Sequence, residues 1–534
     1  MEKIKFDNKT VFESGKYYVF DGEKLTFCLS DAKRLTDNIY ISLSAFNYGY
    51  LDTAILLKDL KDTILDFSGA TLYLKGRIQP FIIENCENLT IKNVNVEYDR
   101  SFYTELEVLG NNGEDLFVKK NEKFPVKIEN GYMIPYSDTW ENRNLHIGDM
   151  FIQAFDNETR NGVGIDVIVI GEEVKRHESP PCEVHQVKVK EENGIITMSG
   201  IKPWGNGKLW EKGTSIVLTH EYRDKSSCFI ICSKNITLEN YRIINGAGMG
   251  ILSMYTENLT IDGLRLTRDE KSHGIITNAA DAMHLISSKG KLIIKNSQVE
   301  GMVDDALNIH NNFYQAEEIN ANKLKVFRTA QSNMVNEYYK NFGIGDTVAV
   351  YKGSTLELKA EAVIKNIEIL DRCYAVWELD KELADVEKGD IIENLSTQPQ
   401  VLVENCSFGK SNTHLRIQTR GKTIIRNCAT ELPIMFTGDT NYWFEASPVK
   451  DVCFEGNRFI GSRAHVSACP EYHASEKAPY YHSGIKVINN TFDSEMPLFA
   501  RYTKDIEFVN NIQNGGKEFR FDLEHTENFT VKEK

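Results

Sequence analysis

The chain has 534 residues, 41% hydrophobic and 26% charged, which is ample apolar material for a large buried core and excludes a disordered or fibrous protein. Its 62 basic against 77 acidic residues leave a formal charge of −15, which argues against a phosphate-binding surface, and so against nucleic acid as a ligand, and suits neutral substrates. No apolar run approaches the ~20 residues of a membrane span, and the opening MEKIKFDNKTVFESGKYYVFDG has no signal-peptide core, so the chain as it stands reads as soluble: cytoplasmic, or periplasmic or secreted if a signal has been removed.

Residues 1–75, ending in DTILDFSGATLYL, read as a cap that closes the core of a solenoid and leads into its first coils. Short β-branched runs closed by asparagine or glycine then recur. They are LTIKN at Leu89 to Asn93, ITLEN at Ile236 to Asn240, LTIDG at Leu259 to Gly263 and LIIKN at Leu292 to Asn296. The series continues with VLVEN ending at Asn405, TIIRN at Asn427, VCFEG at Gly456, KVINN at Asn490 and IEFVNN at Asn511. The closest spacings are 21 to 23 residues, and those near 30 read as one coil with a longer loop. Three short strands and their turns need about this many residues, and coils stacked at ~4.8 Å make a parallel β-helix. Asparagine or glycine after each strand suits a turn that needs positive φ, and a side-chain amide there can bond the neighbouring coil.

Two stretches break the repeat and divide the chain. Residues 104–220 are charged and loop-rich, with strand-like fragments such as VGIDVIVIGEEV and GIITMSGI; residues 315–395 carry KLKVFRTA, DTVAVYKG and YAVWELDKEL. Each is read as a small inserted β-barrel, leaving 76–103, 221–314 and 396–534 as the β-helix proper. The fold class predicted is therefore all-β, a parallel β-helix with two inserted barrels. Ten cysteines are too sparse for a disulfide scaffold, and none forms a C-x-x-C zinc pattern; Cys406 and Cys428, 22 residues apart, fall on equivalent positions of adjacent coils and read as buried thiols.

Between the insertions, NAADAMHLISSKGKLIIKNSQVEGMVDDALNIHNNF holds the densest polar chemistry. Asp281 precedes Asp304 and Asp305 by 23 and 24 residues, one coil, so the three carboxylates should stand on neighbouring rungs. Their mutual repulsion raises at least one pKa and sets a proton donor beside an ionised base. Glycoside hydrolysis needs such a pair, ~6.5 to 9.5 Å apart for inversion and ~5 Å apart for retention. A lone aspartate at a turn more often caps backbone amides; three at coil spacing point to catalysis. Within ALNIH, alternation sends Leu307 and Ile309 inward and turns Asn308 and His310 toward the carboxylates. Asn278 and His284 flank Asp281, and THLRIQTRGK sets His414 and Arg416 on one strand face, where they can donate to sugar hydroxyls. In GDTNYWFEA, Tyr442 and Trp443 offer rings, and an indole suits the apolar face of a pyranose. Neither an H-E-x-x-H nor an EF-hand pattern occurs, so no metal and no other cofactor is expected.

DFSGATLYLKGRIQPFIIENC, TNAADAMHL, EGMVDDALNIH and SNTHLRIQTRGKTIIRNC together resemble glycoside hydrolase family 110, bacterial α-1,3-galactosidases acting on terminal galactose of blood-group B type and related linear glycans. The resemblance implies a right-handed parallel β-helix with inserted barrels, inverting hydrolysis without a metal, and homodimers or higher homo-oligomers. It also implies Asp281 as general acid and Asp304 with Asp305 as the pair holding the attacking water. The chain departs from the family pattern at Ala282 and Asn311, where glycine is frequent. A polygalacturonase-like hydrolase shares a similar trio, here NAAD, DD and RIQ, but the histidine of its Gly-His-Gly motif has no counterpart. A non-catalytic carbohydrate-binding β-helix would have no use for clustered acids.

Overall fold

The computed structural model describes the chain apart from residues 1, 5, 8, 37–50, 144–150, 170–184, 202–208, 221–224, 269–273, 328–342, 372, 412, 441–442, 472–479 and 533–534. The recurrent runs are one strand of each coil. In consecutive parallel register, Leu89 aligns with Ile236, then Leu259, Leu292, Val401, Thr423, Val452, Ile485, Ile506 and Phe529. Two residues on, Ile91, Leu238, Ile261, Ile294, Val403, Ile425, Phe454, Val487 and Phe508 form a second inward column. Alternate residues point into the coil, so every rung stacks like on like and one apolar core runs the length of the solenoid.

The turn residues behave as their type demands. Asn93, Asn240, Asn296, Asn405 and Asn427 all have φ between 50 and 57°, the left-handed conformation that asparagine tolerates. In the doublets at 489–490 and 510–511 the left-handed residue is the first asparagine, while the second reaches back a coil, Asn490 Nδ2 to Phe454 O at 3.1 Å and Asn511 Nδ2 to Val487 O at 2.7 Å. Side-chain amides climb from coil to coil: Asn93 Nδ2 donates to Asp66 Oδ1 at 2.9 Å, and Asn240 Nδ2 to Asn93 Oδ1 at 3.0 Å although 147 residues separate them. Cys406 and Cys428 lie buried on adjacent coils as free thiols.

The first interruption forms an eight-stranded sheet between Tyr103 and Thr219, antiparallel apart from one parallel pair, with its own apolar core. The second forms a closed ring of antiparallel pairs: Leu307–Asn320, Lys323–Phe327, Tyr374–Leu379, Leu358–Ile369, Thr347–Tyr351, Ile391–Asn394 and back to Leu307–Asn320. Trp377 sits fully buried in that ring. The strand Leu307–Asn320 thus begins as a β-helix rung and ends as a barrel stave.

Candidate active site

Strand Met283–Ile286 pairs with Leu307–Asn320, which pairs with Leu415–Ile417. The register sets His284 against Asn308 and Asn308 against Arg416, so one polar column forms on the outer face while Leu285, Leu307, Ile309, Leu415 and Ile417 fill the core. Counting back three residues from the first pair puts Asp281 opposite Asp305. The Ala282 amide donates to Asp305 O at 2.8 Å, and the Ala306 amide to His414 O at 3.0 Å, carrying the stack onward.

The turn that presents Asp281 is held from within. Asn278 Nδ2 donates to the carbonyls of Ala280 (3.2 Å) and Asp281 (2.7 Å), and Asn278 is fully buried. A Cβ at Gly246 would meet Asn278 Oδ1 at 1.6 Å, so only glycine leaves room for this brace. Asn278 therefore positions the turn, and the expected contact with substrate is not what its side chain makes. Asp281 is itself 0% exposed, and its Oδ2 lies 2.7 Å from His284 Nδ1, off the axis of the ring N–H. His284 Nε2 meets His310 Nε2 at 2.8 Å, and His310 Nδ1 meets the Asn311 carbonyl at 2.6 Å.

Asp305 lies among polar side chains of the next coil. Thr413 Oγ1 donates to its Oδ1 at 3.1 Å, His414 Nε2 stands 3.0 Å from the same oxygen, and Arg416 Nε lies 3.6 Å from Oδ2. Arg416 Nε donates to His414 Nε2 at 2.7 Å, and the guanidinium also donates to Thr437 Oγ1 (3.3 Å) and Glu471 Oε1 (3.0 Å). Burial pushes the Asp305 carboxyl up, but His414 and Arg416 outweigh it and hold the group below the usual carboxylate range. Its neighbour Asp304 keeps part of its surface exposed; burial first, and then the charge of Asp305, push it up to about 7.

A fourth carboxylate completes the cluster. Strand Glu445–Ala446 pairs antiparallel with Asn311 and Asn312, bringing Glu445 over the column. Its carboxylate accepts from Asn308 Nδ2 at 3.4 Å and Gln418 Nε2 at 3.2 Å, and lies 3.7 Å from His310 Nε2. Burial raises it, but the charges of His310, Arg416 and His284 bring it below its ordinary value. Trp443 is half-buried two residues earlier, its backbone N–H donating to the Asp439 carboxylate; Tyr442 lies outside the described residues. Gln418 continues the alternation of His414 and Arg416 and was legible on that ground; Glu445, Thr413 and Glu471 carry no periodic signal.

His284, His310 and Glu445 bring three donor atoms within 4.8 Å of one another, a set that could hold a cation. The two imidazole nitrogens stand 2.8 Å apart, however, a hydrogen-bond length and shorter than the ~3.3 Å between ligands sharing a tetrahedral zinc ion. The arrangement is that of a shared proton.

No protein-family model matches the chain. Among curated proteins it is similar to alpha-1,3-galactosidase B of Bacteroides thetaiotaomicron, with 27% identity over 501 residues, 90% of this chain and 78% of that one. It is also similar to alpha-1,3-galactosidase A of Bacteroides fragilis, 28% identical over 478 residues, 86% of this chain and 74% of that one. Among solved structures, a polygalacturonase from Erwinia carotovora ssp. carotovora aligns over 98% of this chain and 100% of its own, at 12% identity and a TM-score of 0.33, a likeness too slight to build on.

Proposed function

We propose that the chain is an exo-acting glycoside hydrolase of the family 110 type. It releases terminal α-1,3-linked galactose from oligosaccharides or glycoconjugates by a single inverting displacement. The observation that carries the reading is the split between adjacent carboxyls: Asp305 held ionised by His414 and Arg416, Asp304 pushed up to about 7, and both one coil from Asp281. Asp305 is then available as an ionised base beside Asp304, and the donor that glycoside hydrolysis also requires is assigned to Asp281 on the neighbouring rung. Asp281 protonates the leaving oxygen, and the Asp304–Asp305 pair takes a proton from the water that attacks C1. Asn308, His414 and Arg416 present donors to sugar hydroxyls, and Trp443 offers its ring to the pyranose face. The names of the relatives support the sugar and linkage, and an uncharged galactoside suits a protein of net charge −15.

The test is a substrate panel of Galα1,3Gal, B trisaccharide and polygalacturonate, with the first-released anomer followed by NMR. Galactose should appear from the first two, as the β-anomer, and Asp281→Asn should lower turnover by ~10³ or more. Activity confined to polygalacturonate would sink the linkage and the sugar together; α-galactose released first would sink the single displacement.

A further inference from the structure

We infer that the first insertion clamps the two turns that lead to Asp281 and Asp304, with Glu105 and Gln153 as positioning residues for the reaction. The inference rests on the catalytic reading of those aspartates; the clamp is geometry that stands without it. Three neighbouring strands of the inserted sheet, Tyr103–Asn111, Thr214–Thr219 and Phe151–Asp156, set Glu105 opposite Val217 and Val217 opposite Gln153. Strand alternation gives this sheet two faces. Leu106, Ile216, Leu218, Ile152 and Ala154 turn to the insertion's own core. Tyr103, Val217 and Phe155 turn the other way and pack with Ile276, Ala279 and Val303 of the solenoid. Ile276 and Ala279 precede Asp281, and Val303 precedes Asp304.

The two polar side chains of that second face each take one turn. Glu105 Oε1 accepts from the amides of Ile275 at 2.6 Å and Ile276 at 3.1 Å, and Tyr103 Oη donates to the Ile276 carbonyl at 3.0 Å. Gln153 Nε2 donates to the Val303 carbonyl at 3.0 Å. The turns are also tied to each other, since the Val303 amide donates to Asn278 O at 3.2 Å. A Cβ at Gly274 would collide with the Glu105 carboxylate, so glycine there is what lets the carboxylate reach the backbone.

Glu105 and Gln153 are each only 4% exposed. Burial pushes the Glu105 carboxyl up to about 7, while the two amides and then the charges of Arg268 and Arg100 pull against it. An apolar side chain of the same size would pack on this face without that cost. What it could not supply is a fixed acceptor for two amides of the turn. Residues 274–282 and 301–306 lie outside the strands of the coil and share one isolated bridge, Asn278 with Met302. The inserted sheet therefore gives these turns the hold that the parallel ladder gives the rest of the coil. Reacting groups misplaced by ~1 Å can lose ~10²-fold in rate, which is the scale on which a loosened turn would act.

The experiment separates the clamp from the stability of the insertion. In the whole protein, Glu105→Ala should lower kcat on Galα1,3Gal by ~10²-fold with KM within a few-fold of wild type. Glu105→Gln, whose Oε1 can accept from the same two amides, should recover to within about fivefold of wild type, and Gln153→Leu should lose about tenfold. Leu106→Ala, which opens the core on the opposite face, should lower the unfolding midpoint at least as far as Glu105→Ala yet keep kcat within about twofold while folded. Glu105→Gln as slow as Glu105→Ala, or Leu106→Ala as slow as either, would reduce the effect to structure and overturn the inference, as would an unchanged kcat in Glu105→Ala. Amide hydrogen exchange of the wild-type protein supplies a readout independent of activity and of the folding of any variant. The Ile275 and Ile276 amides should be protected, and should exchange about tenfold faster or more in Glu105→Ala while those of Leu285 and Ile309 do not change. Fast exchange of both amides in the wild type would show that nothing grips the turn. A wild-type protein inactive on Galα1,3Gal and B trisaccharide would overturn the proposed function, and the exchange of Ile275 and Ile276 would still decide whether the clamp exists.

Discussion

Asp304 and Asp305 are neighbours in the chain whose carboxyls are shifted in opposite directions: at Asp305 His414 and Arg416 outweigh burial, whereas burial first and then the charge of Asp305 push Asp304 up to about 7. The consequence can be measured as stability. An Asp304 carboxyl pushed up to about 7 in the fold titrates near 3.8 in the unfolded chain, so between those values the folded state binds more protons than the unfolded one. Its contribution is full below pH 4 and is lost as pH rises to 7. Asp305, held low, has the opposite sign, and its contribution is lost only as pH falls through the acid range below 4. Asp304→Asn removes the first effect and not the second. The variant should match wild type in thermal stability near pH 4 and exceed it at pH 8 by on the order of 2 kcal/mol, read from unfolding curves at each pH. A variant less stable than wild type at pH 8 would contradict the upward shift. The trio's placement was legible in the sequence because a 23- or 24-residue interval is a distance along a solenoid. Glu445 was not legible: it reaches Asn308 across 137 residues on an antiparallel strand, and no period connects the two.

At the scale of the element, the coil is held by apolar columns inside and amide ladders at its corners, and the two ladders differ in what they cost to break. Asn457 is buried; it donates to Ile425 O at 2.8 Å and Asn490 Oδ1 at 2.9 Å, and accepts from the Cys428 amide at 2.9 Å. Asn457→Ala leaves a carbonyl and an amide without partners in an apolar interior and should cost roughly 2–4 kcal/mol in denaturant unfolding. Asn240 makes a similar coil-to-coil bond, to Asn93 at 3.0 Å, but in contact with water. Asn240→Gly keeps a left-handed backbone comfortable and exposes nothing new, so its cost should stay below about 1 kcal/mol. The strand–asparagine signature made these corners readable, since the residue that tolerates φ near 50° is also the one that can bond upward. It did not distinguish the exposed ladder from the buried one, because both spell asparagine. The insertions were readable as alternating strands, whereas ring closure in the second depends on Leu307–Asn320 pairing on both its edges, which no local pattern encodes.

In the molecule as a whole, the ring of the second insertion is tied to the solenoid that carries the site. Leu307–Asn320 ties them covalently, running from Asn308 and His310 into the ring, and ion pairs do so laterally, Lys289 with Asp346 at 2.6 Å and Arg420 with Glu393. Arg420, two residues beyond Gln418, reaches Glu393 of the ring through Nε at 2.9 Å and Nη2 at 2.7 Å, and Nη2 also donates to Tyr351 Oη at 2.9 Å. Glu393 is 1% exposed and Arg420 only partly exposed, so the pair is desolvated and its value lies in each charge having the other. Glu393→Ala strands the guanidinium against Tyr351 and should cost roughly 3 kcal/mol. Because Asn394, the next residue, accepts at its carbonyl from Asn311 Nδ2 at 2.6 Å, and the Asn311 carbonyl in turn meets His310 Nδ1 at 2.6 Å, the disturbance passes directly to the His284–His310 pair. The expected outcome is a lowered midpoint in thermal unfolding together with a kcat on the galactosyl disaccharide reduced about tenfold or more at temperatures where the variant is still folded. A variant that loses stability but keeps full turnover would show that the ring is fastened to the site without positioning it, and that the geometry around His310 is set by the solenoid alone.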